Sequence, residues 1–125
     1  LTVLGEANIE SIEQLTPTEL DNALVLIDIE GFEFELLNQA TLEKLKHCTV
    51  FLEIHNWVDN FIDKYQRLLT EASQFFDIAP IDRMERITTN IEELRNFPDD
   101  NRLLLASEGR PCLMRFLQLT PKIIT

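Results

Sequence analysis

Two short stretches carry the residues that could do chemistry. The first is Leu24-Val25-Leu26-Ile27-Asp28-Ile29-Glu30-Gly31-Phe32-Glu33, an apolar run that delivers three carboxylates around one glycine. The second is Val50-Phe51-Leu52-Glu53-Ile54-His55. A carboxylate at a strand end can take a proton from a hydroxyl substrate if burial raises its pKa. It could equally hold a hard divalent cation through oxygen ligands. A histidine changes charge near neutral pH and suits a general base for a hydroxyl. Glu53 and His55 stand two apart on a strand, so their side chains share a face.

Each of these residues also has a plainer reading. Glu30 fits a solvated turn. Glu33 fits the first turn of a helix, where an acid stabilises the dipole, and that is how it is read here. His55 fits a strand–helix junction in which the ring bonds a nearby backbone group. Asp28 is the residue for which function outweighs packing, because open α/β sheets bind ligands beside the carboxyl ends of their strands. The candidate catalytic set is therefore Asp28, Glu30, Glu53 and His55, with no metal ligand assigned. No Gly-x-Ser-x-Gly, no phosphate loop with lysine and no His-Glu-x-x-His occurs.

The elements that must position this set can be read from periodicity. The run 23–29 reads as a strand buried on both faces, the mark of a parallel sheet covered by helices. Gly31 suits a tight turn with positive φ. A helix follows over 33–38, extendable through Lys46, and then a strand over 49–54, rich in β-branched and aromatic residues. A helical connection makes these two strands parallel, with a right-handed crossover. Asn56 is the expected N-cap of a helix over 57–73, with Trp57, Phe61 and Tyr65 as core aromatics on its apolar stripe.

Elsewhere the signals are shorter. Ile9, Ile12 and Leu15 form a helical stripe, and Thr16-Pro17 opens a helix. Thr2-Val3-Leu4 reads as the end of a strand, and 75–79 as a third full strand ended by Pro80. A capping box from Thr89 to Glu92 opens a short helix. The turn Pro98-Asp99-Asp100-Asn101 precedes a strand over 102–106. Gly109-Arg110-Pro111 is a break, and the tail 112–125 alternates too irregularly to assign.

The segment Leu26-Ile27-Asp28-Ile29-Glu30-Gly31-Phe32-Glu33, with Leu36-Leu37 and then Val50-Phe51-Leu52-Glu53-Ile54-His55, resembles the FkbM-type family of S-adenosylmethionine-dependent methyltransferases. That family carries a Lys-aliphatic-Asp-aliphatic-Glu-Gly-x-Glu segment, a short helix and a strand ending in Glu. The likeness spans about 24–57, and Leu26 stands where the family has lysine. It implies an α/β fold: part of a Rossmann-like methyltransferase sheet, mostly parallel strands with flanking helices, its first half missing. Residues 1–125 would then be the C-terminal portion of one such domain, with the remainder of that domain as partner. The implied reaction is O-methylation of a sugar or another small hydroxyl-bearing metabolite. Asp28 or His55 would take the proton, Glu30 and Glu53 would orient substrate or a metal, and Asp28 would also meet the S-adenosylmethionine cofactor. The glycine-rich cofactor loop of such enzymes has no counterpart here: Gly5, Gly31 and Gly109 form no Gly-x-Gly. The other reading is an inactive methyltransferase-like interaction module.

A length of 125 residues suffices for one compact domain but not for a whole seven-stranded sheet. With 22 acidic against 11 basic residues the chain is strongly anionic, which argues against nucleic acid and anionic membranes as partners. Cys48 and Cys112 form neither a paired metal motif nor a disulfide framework, which suggests a reducing, cytoplasmic setting. No apolar run approaches a membrane span.

Overall fold

The computed structural model describes residues 8–81, 88–106 and 115–122. They divide between two compact units, one holding 8–81 and 115–122, the other 88–106. The expectations for Thr2-Val3-Leu4 and for the break at 109–111 lie outside the described residues.

The larger unit begins with two short capped helices. In α1 (Ile9–Glu13) the Asn8 side chain accepts from the Ser11 N–H, and the Ser11 hydroxyl accepts from the Asn8 N–H. In α2 (Pro17–Leu20) Thr16 and Glu19 do the same, with Pro17 in the first turn as expected. Strand β1 (Leu24–Ile27) follows, then α3 (Glu33–Leu36) and α4 (Gln39–Lys44). The single helix read through Lys46 is thus broken at Leu37. Asn38 ends it by capping a new helix, its side chain accepting from the Thr41 N–H. Strand β2 (Thr49–Ile54) keeps its expected bounds.

The helix read over 57–73 is the shorter α5 (Phe61–Ala72). Asn60, not Asn56, precedes it, in a left-handed conformation that asparagine tolerates. Residues 56–60 are spent on turning the chain, so Trp57 leaves the helical stripe. Phe61 and Tyr65 remain on it, stacked with ring centroids 5.4 Å apart. Strand β3 (Phe76–Ile81) runs through Pro80 rather than stopping there. Proline's missing N–H is tolerated because β3 is an edge strand. The tail, unassigned from sequence, supplies β4 (Arg115–Pro121), in which Leu117 and Leu119 face the core.

The sheet order is β1-β2-β4-β3. The β1–β2 pair is parallel, as expected, in the register Leu24–Thr49 to Ile27–Leu52. Strand β4 is antiparallel to both β2 and β3. This corrects the expectation of a mostly parallel sheet at the level of strand pairs. Two reversals still leave β1, β2 and β3 pointing the same way, with β4 alone reversed between them.

One face of the sheet makes the core. Ile27, Val50, Leu52, Ile54, Leu117, Leu119 and Phe76 are buried there with Leu42, Leu45, Leu68 and Ala72 from the helices. The other face carries Leu24 and Leu26, each 69% exposed, so β1 is not buried on both faces. Its apolar run reads like an internal strand, yet it lies at an edge with one face open.

The smaller unit holds a 3-10 turn at Glu92–Leu94 and helix α6 (Asp99–Ala106). Ile91 precedes the 3-10 turn with no side-chain cap, so the Thr89–Glu92 box does not form. The strand read over 102–106 is helical. Leucine and alanine favour helix when nothing pairs them into a sheet, and Asp99 and Asp100 suit the positive end of its dipole. Arg102 pairs with Asp99 one turn back.

Candidate functional site

Strands β1 and β2 end side by side, and their parallel register decides what meets there. One step past the Ile27–Leu52 pair, Asp28 comes abreast of Glu53. Beyond Asp28 the chain turns through two positive-φ residues, Glu30 at +52° and Gly31 at +104°. An L-residue in the left-handed region costs about 1 kcal/mol or more, so Glu30 is held there against its preference. At Gly31 a Cβ atom would lie 2.7 Å from Val58 Cγ1, so glycine is required both by φ and by space.

This turn delivers Glu33 between the strand ends. Glu33 opens α3 as the first-turn acid expected, but its carboxylate is wholly buried. Oε2 accepts from the Gly31 N–H at 2.9 Å and Oε1 from the His55 N–H at 2.8 Å. His55 Nδ1 lies 3.3 Å from both oxygens. These N–H groups offset the cost of burying a charge. The second, terminal glutamate of the family-like segment at Glu33 was the available signal for this role. What the sequence does not show is that the first helix residue after β1 reaches the residue after β2.

His55 is itself fully buried. Nδ1 faces the Glu33 carboxylate, and Nε2 looks out on the other side of the ring. Nε2 has no hydrogen-bond partner among the described residues. It faces Glu30 Oε2 at 3.5 Å and Asp28 Oδ1 at 3.6 Å, both on largely exposed side chains. A lone pair facing two carboxylate oxygens is repulsive unless a proton or another positive centre lies between them. Trp57, half-exposed, closes the site with its ring edge-on to the imidazole, centroids 4.9 Å apart.

All four sequence-nominated residues thus converge, and Glu33 and Trp57 join them. Asp28, Glu53 and His55 each offer a ligand atom, and the three atoms lie within 4.8 Å of one another. A depression of about 540 Å³ opens elsewhere, lined by Pro17, Leu20, Asp21, Lys44, Lys46 and His47. It shares no residue with the acidic cluster, and the cluster has the stronger claim because its polar groups converge on one buried atom. No described helix is long and apolar enough to cross a membrane. Neither a family model, nor a curated protein, nor a solved structure matches the chain.

Proposed function

We propose that the chain is the later part of a Rossmann-like sheet in an S-adenosylmethionine-dependent O-methyltransferase, and that its acidic cluster receives the methyl acceptor. The observation that carries this reading is the buried Nε2 of His55, without a hydrogen-bond partner among the described residues, backed by Glu33 and flanked by Asp28 and Glu30. Three supports stand beside it. The cluster lies at the carboxyl ends of parallel strands, where open α/β sheets bind ligands. Strands β1, β2 and β3 share one direction, and the outer edge of β1, which meets no other strand among the described residues, could pair with a further one. The residues that resemble the FkbM-type segment are also the ones that build the site.

The cofactor supplies a methyl group on a sulfonium, an electrophile that needs only an aligned nucleophile. The chain's own part is to hold and deprotonate that nucleophile. An acceptor hydroxyl at the mouth of the site donates to Nε2, and its proton moves there as the oxygen attacks. Glu33 behind, with Asp28 and Glu30 in front, stabilises the imidazolium that forms. Alignment of the two reactants supplies several kcal/mol of the barrier reduction. For the cofactor these residues offer the exposed Asp28 carboxylate.

The test is release of S-adenosylhomocysteine by the full-length protein over a panel of sugars and polyols. Asp28→Asn and His55→Ala should each lower kcat, on the order of 100-fold for the group that takes the proton. Near wild-type turnover in both variants would remove the cluster from the mechanism.

A further inference from the structure

We infer that Asp28, Glu53 and His55 bind a divalent first-row transition-metal ion, with Glu33 as the residue that aims the imidazole at it. It changes the proposed function at one point, because a metal-bound Nε2 cannot also take the acceptor's proton, and it rests on ligand geometry that does not depend on methyl transfer. The three ligand atoms fall within 4.8 Å of one another. Metal–ligand bonds of about 2.1 Å place neighbouring ligand atoms about 3.0 Å apart and opposite ones about 4.2 Å apart.

Two further observations point the same way. Nε2 is buried without a hydrogen-bond partner among the described residues, and it faces oxygens at 3.5 and 3.6 Å. These gaps leave the buried Nε2 without a direct hydrogen bond to either carboxylate. Behind the ring, the buried Glu33 carboxylate holds Nδ1, as in carboxylate–histidine–metal arrangements where the far ring nitrogen is the ligand.

The donor set selects the metal class. Two carboxylates would suit magnesium or calcium, but both prefer all-oxygen shells, and the imidazole shifts the choice to manganese, iron, cobalt or zinc. Three protein ligands leave positions open for a hydroxyl. With the ion bound, Nε2 is a ligand, and Glu30, outside the ligand set and 3.5 Å from it, takes over as the exposed proton acceptor.

The experiment is titration of chelator-stripped full-length protein with Mn²⁺, read by the paramagnetic resonance signal of the free ion, and with Co²⁺, read by visible absorption. No cofactor or acceptor is present, so failure of methyl transfer leaves the result untouched. One ion per chain is expected, not displaced by excess Mg²⁺. Asp28→Asn, at an exposed position that should not disturb folding, is expected to weaken binding at least tenfold, and His55→Gln likewise. Glu33→Gln should weaken it by roughly 10- to 100-fold, the range for residues that orient a ligand. Equal affinity in wild type and Asp28→Asn would reduce the signal to counterions on an acidic surface and overturn the proposal.

Discussion

At the scale of single residues, the site depends on a backbone conformation as much as on side chains. Gly31 turns the chain at φ +104°, donates its N–H to Glu33 and packs against Val58. Gly31→Val would impose a strained φ and a clash with Val58 Cγ1, so we expect a loss above about 1 kcal/mol, seen as a melting temperature lower by on the order of 5 °C. Gly31→Ala should fall between the two. An unchanged melting curve for Gly31→Val would mean that the turn relaxes without cost. Glu30, the other positive-φ residue of this turn, is an acid held in an unfavoured conformation beside the buried Nε2 of His55. Strain located at a candidate site fits a functional demand.

At the scale of elements, Cys48 ties α2 to the start of β2. Its thiol is buried and donates to the Leu20 carbonyl at 3.1 Å. Burial pushes this thiol above its ordinary value of 9.0. The unfolded chain therefore loses that proton at lower pH than the folded one and binds fewer protons above about pH 9. The stabilisation is complete below the unfolded value and is lost as pH climbs through the folded one. Denaturant midpoints measured from about pH 8 to pH 10 should fall more steeply for wild type than for Cys48→Ala. Parallel pH profiles for the two proteins would contradict this. Cys48→Ala should also be less stable at every pH, because truncation leaves a small cavity under β2.

At the scale of the whole molecule, the larger unit leaves β1 exposed on the face of the sheet opposite the core. Leu24 and Leu26 stand mostly exposed on β1, an edge strand that meets no further strand among the described residues on its outer side. The 125-residue chain should therefore self-associate in light-scattering measurements. A formal charge of −11 opposes that at low ionic strength, so added salt should favour it. Leu26→Lys, a charge on the open face, should shift the chain toward monomer. A wild-type chain that stays monomeric in salt would show that the edge protects itself.

Local chemistry was legible in the sequence. Asn38 and Thr16 cap as their types demand, Gly31 takes the conformation that glycine alone takes cheaply, and β2 runs over its β-branched and aromatic stretch. The convergence of Asp28, Glu30, Glu53 and His55 was legible too, because two parallel strands joined by helices must end together. Pairing decided the rest. The stretch 102–106 is apolar enough for either state and is helical where no strand pairs with it. The tail became a central strand because β2 and β3 together offer it hydrogen bonds on both edges. Glu33 looks the same in sequence as any first-turn acid. Only the tertiary structure, by bringing the N–H groups of Gly31 and His55 to its carboxylate, makes burial of that charge affordable and turns it into the support of the site.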